Sequence, residues 1–131
     1  MGFDFDSGID SQEASYLISS VLWFSYITNM PIMTSKTTDK TYISDTGWGC
    51  MVRVGQMMFA EVLKRYRINN TENYPITIYR RGGNNLIKEF IEIIKLFLDK
   101  KEFNSIFSLR NIIDIAYQEF KIEPGQWHKP A

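Results

Sequence analysis

The sequence predicts a helix-rich single domain with one short strand, and three observations carry that reading. Leu86, Ile87, Phe90, Ile91, Ile94, Phe97 and Leu98 recur at helical spacing, with Lys88, Glu89, Glu92 and Lys95 on the opposite face. Val54, Met58, Val62 and Tyr66 repeat every four residues in a run that contains no proline. Only residues 74–80 combine β-rich composition with the alternation of a strand, through Ile76 and Ile78. The 131 residues, of which 44% are apolar and interrupted by charges throughout, suffice for one core.

Taken in order, residues 1–9 are polar and acidic and read as a flexible arm, leaving 10–131 as the folded part. Asp10 with Glu13 three positions on forms a capping-box pattern. It predicts a helix running to about Tyr26, with Leu17, Val21 and Phe24 near helical spacing and Pro31 beyond its end. Residues 34–41 are polar and read as an exposed loop. A long helix is expected from Gly49 or Cys50 to Tyr66. Its buried stripe would be Val54, Met58, Val62 and Tyr66, broadened by Met51 and Phe59, with Asn69-Asn70 as its stop. The strand at 74–80 closes on Gly82-Gly83, the helix 86–98 follows, and Ser108 is placed to cap a last helix carrying Ile112, Ile113, Ile115 and Ala116.

Composition excludes several function classes. Fifteen basic and fifteen acidic residues cancel, which disfavours a nucleic-acid surface. The longest apolar stretches, such as 21–24 and 96–98, are far too short to cross a bilayer, so no stable membrane insertion is expected. Asp4 and Asp6 stand where a secretory leader would be basic, and Asp6 also breaks a myristoylation motif at Gly2. The Asn69-Asn70-Thr71 sequon is then idle, and a cytoplasmic protein is the simplest reading. A single cysteine makes neither an internal disulfide nor a thiolate zinc site, and no cofactor or metal is implied.

Cys50 lies at the predicted start of a helix, behind Ser44-Asp45-Thr46-Gly47-Trp48-Gly49. A thiol attacks only as the thiolate, and free amides with the positive end of a helix dipole favour that anion. Gly47 and Gly49 flank Trp48 and leave backbone N–H groups uncovered that could hold a developing oxyanion. Ser44, Asp45 and Thr46 can hydrogen-bond the turn and stiffen it. Position alone fits equally well a small residue filling a crowded helix start, with Trp48 as core.

The wider pattern resembles a known family. Ser44-Asp45-Thr46-Gly47-Trp48-Gly49-Cys50-Met51, followed by Arg53, Gly55-Gln56-Met57 and Ala60, is similar to the active-site segment of the autophagins. These are the autophagy-related cysteine proteases that process the lipid-conjugated ubiquitin-like modifier of the autophagosome. Trp23-Phe24-Ser25-Tyr26 resembles the family's Trp-Phe-Thr-Tyr, and Phe107-Ser108-Leu109 with Gly125-Gln126-Trp127 resembles two downstream motifs. The resemblance spans about residues 16–130 and implies a papain-like α+β fold, of which this chain is the amino-terminal, helix-rich, truncated portion carrying the nucleophile helix. It implies Cys50 as nucleophile, Tyr26 near the oxyanion and Trp127 beside the substrate groove; Gly49 and Trp48, in the turn before Cys50, are further oxyanion and groove candidates. The implied reaction is cleavage after the modifier's C-terminal glycine, on the precursor and on the phosphatidylethanolamine conjugate.

The chain also departs from the family's pattern. The loop between Tyr26 and Cys50 is a few residues longer, residues 117–123 replace a Gly-rich stretch, Arg110 replaces a common His, and His128-Lys129-Pro130 replaces Tyr-Gly-Pro. The family's catalytic Asp and His sit in an Asp-Pro-His type segment that this sequence does not contain. His128 is the sole imidazole, and a solvated histidine there is a plainer reading than a general base. Two alternatives stand beside the peptidase: a relative that binds the modifier without cleaving it, and a structural helical domain.

Overall fold

The computed structural model describes Ser15 and residues 18–68, 84–99 and 105–127. Its elements in chain order are β1 (Met33–Thr34), β2 (Thr41–Tyr42), α1 (Cys50–Ile68), α2 (Asn84–Lys95) and α3 (Leu109–Phe120), with residues 18–20 also helical. The acidic arm 1–9, the Asp10 capping box, the strand expected at 74–80 and His128 lie outside the described residues.

The first expected helix does not reach Tyr26. The helical backbone stops at Ser20, and residues 22–27 are non-helical, with Leu22 and Phe24 turned inward and Trp23 and Ser25 outward. The cause is a tertiary contact. Lys64 on α1 is 0% exposed and its Nζ donates to the Ser20 carbonyl at 2.6 Å, so a buried ammonium takes the carbonyl at the helix end. Phe24 then packs on Phe97, ring centroids 5.0 Å apart.

The polar stretch 34–41 is not a plain loop either. Met33 pairs with Tyr42 and Thr34 with Thr41 in an antiparallel hairpin, and Met30 N donates to Ile43 O at 2.9 Å below it. The excursion therefore leaves the body and returns to nearly the same place.

α1 begins at Cys50 as the sequence predicts, but its buried face is a different one. Val52, Arg53, Gln56, Ala60 and Lys64 are buried, whereas Val54, Met58, Val62 and Tyr66 face solvent, Met58 being 67% and Tyr66 85% exposed. Arg53, Gln56, Ala60 and Lys64 fall on one helix face, and that face meets α2 and α3. Ala60 packs with Ile93 and Phe97, with Leu63, Leu96 and Phe107 against them. Burying Ile93 and Phe97 stabilises the pairing by about 1.5–3 kcal/mol each. A second cluster joins Met30, Met33, Trp48, Val52, Leu109 and Ile113, tying the hairpin and the turn before α1 to α3. Ser108 caps α3 as expected, in extended conformation and accepting from Asn111 N at 3.3 Å. The described residues are thus helix-rich with a very small sheet, and α1 packs on helices more than on strands.

Candidate active site

The turn that delivers Cys50 is built on Asp45. Trp48 N and Gly49 N both donate to Asp45 O, at 3.2 and 2.8 Å, and within the turn Gly47 stands at φ 87, a conformation that favours glycine. Trp48 Nε1 donates to Ser44 O at 3.0 Å, Thr46 N donates to Ser44 Oγ at 3.2 Å, and Ser44 Oγ donates to Thr46 Oγ1 at 2.9 Å. The Asp45 carboxylate, fully buried, accepts from Ile27 N at 2.7 Å through Oδ1 and from Arg53 Nε at 2.7 Å through Oδ2. A Cβ on Gly49 would stand 2.6 Å from Asp45 Oδ2, so the carboxylate reaches this place only because residue 49 has no side chain.

Arg53 carries the network onward. Its Nη1 donates to Asp99 Oδ2 at 2.8 Å and to Gln56 Oε1 at 3.1 Å; Gln56 Nε2 donates to Phe107 O at 2.7 Å, and Asp99 Oδ1 accepts from Leu109 N at 2.7 Å at the start of α3. Burial opposes the charge of the guanidinium, but the hydrogen bonds and proximity of Asp45 and Asp99 outweigh it and hold its pKa above the ordinary value. One buried cation thus ties the turn before Cys50 to α3 and to the segment after α2.

Cys50 is a free, partly exposed cysteine and the first residue of α1. The backbone ladder opens with Arg53 N donating to Gly49 O at 3.0 Å, so the amides of Cys50, Met51 and Val52 precede it. The expectation for Gly49 needs correction: its own N–H is already spent on Asp45 O. Its contribution is to admit the Asp45 carboxylate and accept the first helical bond, and amides free to meet an anion begin at Cys50.

Tyr26 is half-exposed and immediately precedes Ile27, whose amide is pinned to Asp45. Asp45 thus holds the backbone next to Tyr26 to the turn that leads into Cys50. Trp48, expected beside a groove, is 4% exposed and belongs to the core, edge-on to Tyr42 at 5.6 Å. Its place there leaves almost no surface for a ligand. Trp127 is 68% exposed at the end of the turn formed by residues 123–126. Sequence reading gave no role to Gln56, Asp99 or Glu123; the signal available for Gln56 was its place with Arg53 and Lys64 on a single face of α1.

Residues 11–131 match the family model of the peptidase C54 catalytic domain. The chain belongs to the peptidase C54 family. Among curated relatives, it is 32% identical over 121 residues to cysteine protease ATG4B of Gallus gallus, covering 92% of this chain and 28% of that protein. It is 36% identical over 113 residues to cysteine protease ATG4B of Xenopus laevis, covering 86% of this chain and 26% of that protein. Cysteine protease ATG4A of Xenopus laevis aligns at 30% identity with 99% of this chain. The chain thus spans about a quarter of the length of the first two of these relatives. As a peptidase C54 chain it has no helix among the described residues that is long and apolar enough to cross a membrane.

Proposed function

We propose that this chain carries the nucleophile of an autophagy thiol protease, with Cys50 attacking the carbonyl of the C-terminal glycine of a ubiquitin-like modifier. The observation that carries this reading is the position of Cys50: partly exposed and first in α1, with its own amide and those of Met51 and Val52 ahead of the first helical hydrogen bond. The Cys50 sulfur adds to the glycine carbonyl, the peptide tail or the phosphatidylethanolamine amine leaves with a proton, and water hydrolyses the thioester to regenerate the thiol. The Cys50 amide, with that of Met51 or Val52, is best placed to receive the oxyanion, and Tyr26 is a further donor candidate on the segment that Asp45 holds nearby. Trp127 offers the exposed apolar surface for the modifier's tail. Relatives named cysteine proteases support the class of reaction.

A second reading has its own observation. The 131 residues hold one histidine and no Asp-Pro-His segment, so by themselves they have the means to bind the modifier without turning it over. Incubating the chain with a glycine-extended modifier separates the two. Cleavage abolished by Cys50→Ala supports the protease; saturable binding with no cleavage supports the binding module. Failure to bind, together with iodoacetamide alkylation of Cys50 at the rate of a model thiol, would sink both.

A further inference from the structure

Two stretches far apart in sequence meet in the fold. One is the β1–β2 hairpin between Tyr26 and Cys50; the other is 117–123, which ends in Glu123. The Glu123 carboxylate is buried and accepts from Ser35 Oγ, from Thr37 N at 3.2 Å and from Thr37 Oγ1 at 2.8 Å, partners 88 and 86 residues away in sequence. Ser35 Oγ in turn accepts from Thr38 N at 3.2 Å and Thr38 Oγ1 at 2.9 Å, so the hairpin loop is wound around this one carboxylate. The backbone of Glu123 closes the next turn, donating to Gln126 Oε1 at 3.0 Å and accepting from Gln126 N at 3.1 Å. Within that turn Gly125, at φ 84, lies so close to Tyr42 that a Cβ would fall 2.0 Å from the phenol oxygen. The Tyr42 ring rests on Trp48, two residues before Cys50.

We propose that Glu123 is a positioning residue: a carboxylate latch that fixes the 123–126 turn on the hairpin and so holds the exposed indole of Trp127 in a set place relative to the Trp48–Cys50 turn, to receive the peptide tail of a protein substrate. The latch rests on geometry alone; what Trp127 receives rests on the peptidase reading. A hydrogen-bonded carboxylate suits this task because it accepts several donors at once from a loop with few apolar side chains to pack. Ser35 and Thr37 supply three of those donors on one side, and the Gly125–Tyr42 contact supplies the steric stop on the other.

The test uses the full 131-residue chain labelled with fluorotryptophan, whose three indoles give three fluorine signals, Trp127 being assigned with Trp127→Phe. In Glu123→Ala the Trp127 signal is expected to move and sharpen while the Trp48 signal stays, with Glu123→Gln, which keeps an acceptor oxygen, falling between. Affinity for a glycine-terminated ubiquitin-like modifier is expected to fall about tenfold in Glu123→Ala, the scale of a lost hydrogen bond to a charged group, with the alkylation rate of Cys50 unchanged. A Trp127 signal unmoved in a folded Glu123→Ala chain overturns the latch. If the alanine variant does not fold, Glu123→Gln and Thr37→Val decide the same point. Movement of Trp127 without loss of affinity overturns its role in substrate capture. If the unmodified chain does not bind the modifier, the role of Trp127 in substrate capture is overturned, and the fluorine spectra still judge the latch.

Discussion

The two faces of α1 invert the usual relation between burial and polarity. The inward face holds Arg53, Gln56 and Lys64, each hydrogen-bonded to a partner outside the helix, while the outward face presents Val54, Met58, Val62 and Tyr66 to water. An ordinary surface helix does the reverse. The difference teaches that the inward face acts as a junction, where each polar side chain reaches a separate segment: the Cys50 turn, the start of α3 and the Ser20 carbonyl. The outward face leaves a continuous apolar stripe open to water.

The inversion is most directly broken at Asp45. Asp45→Ala leaves Arg53 buried with one carboxylate fewer and frees Ile27 N, and a loss of about 3–5 kcal/mol is expected in urea unfolding. A loss below about 1 kcal/mol would mean the inward face is held by packing alone. Gly49→Ala comes next. Its methyl overlaps the Asp45 carboxylate, so about 1–3 kcal/mol is expected, with slower alkylation of Cys50 as the turn shifts. An unchanged melting temperature would show that the carboxylate moves freely.

A smaller effect is expected from acid. The hydrogen bond from Ser35, aided by those from Thr37 and opposed by burial, holds the Glu123 carboxyl below its ordinary value near 4.5. A depressed carboxylate contributes stability that is present above that ordinary value and is lost as pH falls through its lower folded value. Thermal unfolding followed from pH 5 downwards should therefore show an acid-side loss in the native chain that is reduced in Glu123→Gln. Parallel curves would remove the carboxylate from the account. The smallest effect belongs to the outward face: Met58→Gln with Val62→Thr should change stability by no more than about 0.5 kcal/mol. A larger loss would mean that those side chains are covered in solution.

What was legible in the sequence were features set by neighbours in the chain. Ser108 caps α3 through the amide three residues on, and α1 starts at Cys50 because Gly47 and Asp45 make the turn. What was not legible depends on distant partners. The apolar repeat of Val54, Met58, Val62 and Tyr66 is the stronger periodic signal in α1, yet those four side chains face solvent. Arg53 is buried because Asp99 lies 46 residues further on, and Lys64 because Ser20 O lies 44 residues back. The hairpin escaped notice since strands of two residues show no alternation. At the candidate site, the thiol at the helix start was readable, whereas the loss of the Gly49 amide to Asp45 O needed coordinates.

Lys64 has one more consequence. An ammonium with no surface exposed cannot meet an acylating reagent while Ser20 stays seated on it, whereas Lys36, Lys40 and Lys88 on the outside react at once. The rate at which Lys64 becomes acylated, set against those neighbours by mass spectrometry, is therefore a clock for how often the segment leading to Tyr26 lifts off the helix.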